Sequence, residues 1–415
     1  MNAKTLALLA GALVVVGGGA MLVMKQNAPT TSVLASAQKL APALADKIND
    51  VARIELRKGA DTLVIARGKD GEATVWKIES RGGYPAKSDK IKELLLAFSE
   101  AKLIEPKTDK PEKFSLLDLD APSAGTNGVS VTLSDSGNTS LLSVIVGKFA
   151  FAADGRSGEG LFLRRASENQ TYLSDLKLQP EVAASQWLVT DVFSTERSRL
   201  KSATVARAAA GDVPAETFTV SRADASKTEY ALENMPAGKE LKFPTSATTP
   251  SYAVEFVDMA DVAPAASIDL TKEPVATCTY TMFDGMVITV ALGKQDNKTW
   301  MKVSAASNFA GIPDPAAQPD AAEKDVTAPK PKTHAEIEQE VKDFNAKHAP
   351  WSYALVDYKV NQFVPKLADI IKDIEAPANG APGAGPVPGT GPAPTFPAPV
   401  PGVEPGVAPV TPPAK

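Results

Sequence analysis

The chain has 415 residues, 44% of them hydrophobic and 22% charged, with a net charge of −5 and a pI near 5.4. That length admits two or three domains of ordinary globular composition. The acidic balance, without any block of like charges, excludes a basic nucleic-acid face or a polybasic lipid patch. The single cysteine, Cys278, excludes an internal disulfide.

Residues 5–24, "TLALLAGALVVVGGGAMLVM", carry no charge. Twenty residues in a helix reach about 30 Å, the hydrocarbon thickness of a bilayer. The nine Leu and Val residues of the run contribute roughly −3 to −5 kcal/mol towards insertion. The run is longer than a signal-peptide core, and its nearest small-residue triplet, Ala35-Ser36-Ala37, lies too far beyond it to be a natural cleavage site. It reads as an uncleaved single-span anchor. The few lysines flanking it leave its orientation open, and long domains cross regardless of charge.

A short polar linker follows, then "LAPALADKIND" (40–50), where Leu40, Leu44 and Ile48 predict a short amphipathic helix. "ARIELRK", "DTLVIARG" and "ATVWKIE" are three β-branched runs separated by turn residues, an antiparallel meander. In "GGYPAKSDKIKELLLAFSEAKL" (82–103), the two glycines let the chain leave the tryptophan strand. Ser88 is placed to cap a helix whose inner face is Ile91, Leu94, Leu95 and Phe98. "GVSVTLSD", "SLLSVIVGK", "GLFLRRA" and "QTYLSD" are further strands.

The order then recurs. "ETFTVSRADASKTEYALENMP" (216–236) echoes 61–85, and "YAVEFVDMADVAP" (252–264) stands where the first helix stood. "CTYTMFDGMVITVALGK" (278–294) echoes 129–148, both ending in Gly-Lys, and "TWMKVSA" echoes "GLFLRRA". A diverged tandem repeat is expected. A proline- and alanine-rich loop covers 310–332, and Thr333-His334-Ala335-Glu336 forms a capping box opening a helix with Ile337, Val341 and Phe344 inward. "WSYALVDYKVNQF" and "VPKLADIIKDI" add a strand and a short helix. From Ala376 the tail is rich in proline and glycine and nearly uncharged, a composition expected to stay disordered.

Residues that carry chemistry are scarce. His334 and His348, fourteen apart on one helix, would stand roughly 21 Å apart along its axis, too far to share a metal; surface and cap positions are expected for them. Cys278, inside "VATCTYTM", reads as a buried strand residue. Asp118 and Asp120 in "LLDLDAP" read as a solvated turn, and "ADGRSGEG" (153–160) lacks the context of a phosphate loop or a calcium loop. No catalytic, cofactor-binding or metal-binding residue is assigned, and no cofactor is expected. Candidate partner-docking residues are Trp76, Tyr84 and Pro85.

Taken together, "VWKI", "GGYPAKSDKIKELLLAF", "LIEPKTDKPEKFSLLDLDAP", "SVIVGK", "QWLVTDVF", "MFDGMVITVAL" and "TWMKVSA" resemble the envelope family catalogued as domain of unknown function 4340, over roughly residues 45–310. The resemblance carries no catalytic residues across. It implies a single-span protein of the inner (cytoplasmic) membrane, with the bulk of the chain in the periplasm. Partners would be the membrane or auxiliary subunits of gliding-motility-type ABC transporters. The function so implied is a non-enzymatic membrane-anchored accessory or scaffold protein. The alternative is a module binding an envelope polymer or lipid, and a hydrolase is the least favoured reading. The organisation expected is α+β: a membrane anchor at 1–25, a linker with a short helix at 26–50, a first repeat at 51–190, a second at 191–375 and the tail at 376–415.

Overall fold

The computed structural model describes residues 38–150, 160–317 and 331–374. The anchor segment 5–24, most of "ADGRSGEG" and the tail from 376 lie outside the described residues. Among the described residues no helix is long and apolar enough to cross a membrane. The chain divides into a unit ending at Lys372 and a second beginning at Asp373, of which Asp373 and Ile374 are described.

The first half opens with β1 (Gln38–Lys39), the one-turn helix α1 (Leu44–Lys47) and the expected meander β2 (Val51–Lys58), β3 (Asp61–Asp70) and β4 (Ala73–Ile78). Alternation puts Ile54, Leu56, Leu63, Ile65 and Ile78 on one buried face, with Ile54 opposite Ile65 and Ile65 opposite Ile78. Gly82 and Gly83 take φ of 65° and 83°, which a side chain resists, and turn the chain into β5 (Tyr84–Pro85) against β4. The helix α2 (Ser88–Glu100) buries Ile91, Leu94, Leu95 and Phe98 as the spacing predicts. Each gains roughly 1.5–3 kcal/mol on full burial. Ser88 does not cap it. Lys87 is the N-cap, with no side-chain cap bond, because the chain before the helix is held instead by main-chain pairing of Lys87 N to Trp187 O at 2.7 Å. β6 (Lys102–Pro106), β7 (Val129–Asp135), β8 (Ser140–Ala150), β9 (Gly160–Arg165) and β10 (Thr171–Ser174) complete an antiparallel sheet in the order β1-β6-β10-β9-β8-β7-β2-β3-β4-β5.

The second half holds β11 (Asp191–Phe193), β12 (Leu200–Arg207), β13 (Glu216–Ser221), β14 (Ala231–Leu232), β15 (Lys239–Leu241), β16 (Val257–Asp258), β17 (Asp261–Pro264), β18 (Pro274–Met282), β19 (Met286–Gln295) and β20 (Lys298–Ser307). Then come α3 (His334–His348), β21 (Trp351–Leu355), α4 (Asp357–Phe363) and α5 (Leu367–Ile370). Its antiparallel sheet runs β17-β21-β20-β19-β18-β12-β13-β14, which is the order β6-β10-β9-β8-β7-β2-β3-β4 of the first sheet strand for strand. The mixed α+β, mainly antiparallel architecture is therefore as expected.

The repeated Gly-Lys pair has a physical cause. A Cβ on Gly147 of β8 would meet the carbonyl oxygen of Leu117 at 2.1 Å, and one on Gly293 of β19 would meet that of Leu270 at 2.8 Å. In both sheets the segment leading into the hairpin crosses this strand with its main chain, and only glycine leaves room. The segment 252–264 is not the counterpart of α2. That place is taken by a 3-10 helix over Ser246–Val254, with Pro250 inside it, and residues 257–264 form β16 and β17. One apolar core serves both sheets: Phe98 and Val131 belong to the same buried cluster as Cys278, Val290 and Phe363. Cys278 is buried as expected, its Sγ against Phe363 O and its thiol pushed up to about 12 by burial. Thr333 and Glu336 make the reciprocal capping box that opens α3.

Candidate partner-binding groove

The two sheets are joined by residues 186–193, and this strap builds the site. Its first part runs antiparallel to the end of β5: Ala86 bridges Leu188, and Val189 N donates to Pro85 O. Trp187 anchors it, buried, with Nε1 donating to Glu181 O at 2.7 Å and the Lys90 ammonium 4.8 Å from its ring centre. The strap then becomes β11 and pairs with β16 of the second half. One strand-like segment thus pairs with the first sheet at one end and with β16, in the second half, at the other.

Tyr84 sits where the halves meet. Its hydroxyl donates to Val189 O at 3.2 Å, and its ring stands edge-on to Trp351, centroids 5.1 Å apart, and to Tyr353 at 6.4 Å. Burial, then the Asp191 carboxylate, pushes its pKa up to about 12. Tyr353 is hydrogen-bonded to Nδ1 of His348 at 2.8 Å. His348 is 2% exposed, contrary to the surface position expected for it, because the last turn of α3 packs between Phe193 and Tyr353. Burial, then the Lys347 ammonium, pushes its pKa down to about 4, so it is neutral at pH 7. His334, at the start of the same helix, stacks on Phe309 with centroids 3.8 Å apart.

A polar latch closes the junction on one side. Arg81 clamps Asp261 with Nε to Oδ1 at 2.6 Å and Nη2 to Oδ2 at 3.2 Å, and Lys298 Nζ reaches Oδ2 at 2.9 Å. Burial raises the Asp261 pKa, but the bonds from Arg81, Lys298 and the Val262 N–H outweigh it, and the net shift is downward. Beside the latch the halves approach so closely that a Cβ on Gly82 would meet Pro264 Cγ at 2.6 Å.

On the other side the junction is open. A cavity of about 400 Å³ lies against Tyr84, Pro85, Trp351 and Tyr353. It shares Asp191 and Lys347 with a second of about 420 Å³, which shares Phe193, Ser194 and Lys347 with a third of about 590 Å³ along α3. These form one groove with β11 along it. The chain has 14 Phe, 4 Trp and 7 Tyr. Six of these rings line the groove: Tyr84, Phe193, Phe256, Phe344, Trp351 and Tyr353. Phe256, beside β16, is 71% exposed.

Of the residues singled out from the sequence, Tyr84 and Pro85 line the groove. Trp76 does not. It is half-buried on β4, with the Arg67 guanidinium 5.1 Å from its ring centre. Sequence reasoning missed Lys347, His348, Trp351 and Tyr353. The signal was "KHAPWSY", where a helix end, a proline and two aromatics are crowded together. Asp118 takes a left-handed φ of 56° after a 3-10 turn, and among the described residues no group of three or more metal-binding side chains comes together.

Residues 76–272 match the model of a family described as a domain of unknown function (DUF4340). The matched stretch, just under half of the chain, is similar to that family. The resemblance drawn from the sequence over 45–310 is thereby borne out across the narrower range. No curated protein and no solved structure matches the chain. The matched stretch runs from Trp76 through Tyr84, the strap, β16 and Asp261, while the α3 and β21 wall of the groove lies beyond it.

Proposed function

We propose that the chain is a non-enzymatic accessory or scaffold protein, anchored in the cytoplasmic membrane by residues 5–24 with its folded part in the periplasm. The inter-sheet groove is its partner face. The observation that carries this reading is the groove itself: six rings of an aromatic-poor chain gather along one channel at the junction of the halves. Tyr84, His348 and Tyr353 hold the wall together through hydrogen bonds. Tyr353 is bonded to His348, and Tyr84 to Val189. An ABC transporter's membrane or auxiliary subunits are the expected partner, through the family resemblance. The matching strand orders and the paired glycines Gly147 and Gly293 support descent of the two sheets from one duplicated unit.

Co-purification of the full chain from membranes in mild detergent tests the reading. A transporter subunit retained in stoichiometric amount is expected, and its absence from every retained species would remove the proposal. Placement is tested by fusing an export-dependent reporter after Lys415, which should be active. Activity of a cytoplasmic reporter alone would reverse it. A second reading, a module for an envelope polymer or lipid, is favoured by the same ring-lined channel. It would be preferred if the retained species were glycan or lipid rather than protein.

A further inference from the structure

We infer that the groove receives an extended, lysine- or arginine-bearing segment of a partner protein, laid along β11. This rests on the reading of the groove as a partner face and specifies the chemistry of what lies in it. The backbone gives the first reason. Among the described residues β11 pairs with β16 and with no other strand. The main-chain carbonyl of Val192, in the middle of β11, accepts from the Lys347 ammonium at 3.3 Å. A lysine on a flexible stem occupies a carbonyl that a strand N–H could take, and an incoming main chain can displace it.

Charge gives the second. Six carboxylates line the three cavities: Asp70, Asp191, Asp258, Glu336, Glu340 and Asp343. The ammonium groups facing them are two, Lys77 and Lys347. Glu340 is neutralised from outside by Arg199 and Lys332, Glu336 is engaged in the Thr333 capping box, and Asp258 accepts from the Tyr358 hydroxyl. Asp70 and Asp191 form no ion pair among the described residues, and both face the first cavity. His348, held neutral, adds no compensating charge. Such a channel attracts a cationic segment and repels an anionic polymer or an acidic lipid surface.

The rings give the third. Alternate side chains of an extended segment point the same way. Cationic ones can meet Asp191 beside the Trp351 ring, and apolar ones can lie on Phe193 and Phe256.

The test uses a short peptide of alternating lysine and valine, its glutamate–valine counterpart, and lysine–valine peptides N-methylated on either alternate set. Each is titrated calorimetrically into the full chain in mild detergent. The lysine peptide should bind, more weakly at high salt, and the glutamate peptide about tenfold less tightly or worse. N-methylation should cost about tenfold on one alternate set and little on the other. Asp191→Asn should weaken the lysine peptide several-fold, whereas Lys347→Met, which frees the Val192 carbonyl, should tighten it. Equal binding of the two charge types, indifference to N-methylation on both sets, or no binding at all overturns the inference. Crosslinking in cells from a photoreactive residue at Ser194 separates the two levels. An adduct there alongside failed peptides leaves the groove a partner face and removes the basic extended segment. Absence of both removes both.

Discussion

The two sheets share one strand order and differ in how they are covered. The first is closed by α2, a regular amphipathic helix with four buried residues in helical spacing. The second has a proline-containing 3-10 segment at the same place in the chain and gains α3 between β20 and β21, where the first sheet has only the short turn between β9 and β10. Strand order and the glycines under the crossing segments are features of the backbone, and they agree. The covers are features of side chains and insertions, and they diverge. The groove lies where an insertion of the second half, α3, faces the strap and β5 of the first. The shared frame thus supplies rigidity, and the unshared parts supply the surface.

The largest effects should come from breaking a cover. Leu95→Asp places a charge among Ile91, Leu94 and Phe98, at a cost of several kcal/mol even after relaxation, against a typical domain stability of about 5–15 kcal/mol. The native circular-dichroism melt should disappear. Lys92, exposed and paired with Asp89, should accept aspartate at about 0.5 kcal/mol. Normal folding of Leu95→Asp with a partner lost would instead make α2 a docking face. Val254→Asp should do to the second half what Leu95→Asp does to the first, since Val254, the last residue of the 3-10 cover, is 1% exposed.

The glycines sharpen the comparison quantitatively. Gly147→Ala must displace a carbonyl at 2.1 Å, Gly293→Ala one at 2.8 Å. Denaturant titration should give a loss of about 3 kcal/mol for the first and about 1 kcal/mol for the second. Equal losses would mean that the two crossings are equally tight, against these distances.

Acid should act on the junction in two steps. The His348 pKa is lowered to about 4, so between the ordinary histidine value near 6.5 and about 4 the unfolded chain binds the extra proton. Stability is full above that window and falls through it by up to roughly 3 kcal/mol. His348→Gln should flatten the fall in melting temperature across this range. Asp261 has a lowered pKa, so its contribution is present above the unfolded carboxylate value near 3.9 and is lost as pH drops through the folded one. Asp261→Asn at neutral pH should cost about 1 kcal/mol, the pair being partly exposed. An Asp261→Asn effect as large as that of Leu95→Asp would make the latch, not the shared core, what joins the halves.

The sequence disclosed what is periodic. The meander, the inner face of α2, the hairpins ending in Gly-Lys and the Thr333–Glu336 box were all legible because each is a local pattern with a local cause. It hid what depends on distant partners. Ser88 looked like a cap, but the chain before α2 is held by Trp187, a hundred residues on. His348 looked exposed because its helix is polar, and only Phe193 and Tyr353 bury it. The 3-10 segment at Ser246–Val254 has no 3.6-residue period to betray it, which displaced its expected position to 252–264. The strap at 186–193 was visible as "QWLVTDVF", one segment of the family resemblance, but its role exists only once both halves are in place. Half of the groove was visible as Tyr84 and Pro85, and the half on α3 and β21 was not.

Photocrosslinking in living cells tests the partner groove most directly. A photoreactive residue is placed at Phe256, inside the groove, and at Leu116, similarly exposed on the first half away from it. A discrete adduct from Phe256 and none from Leu116 is expected. Adducts of equal yield from both positions, or from Leu116 alone, would contradict the placement of the partner face at the junction.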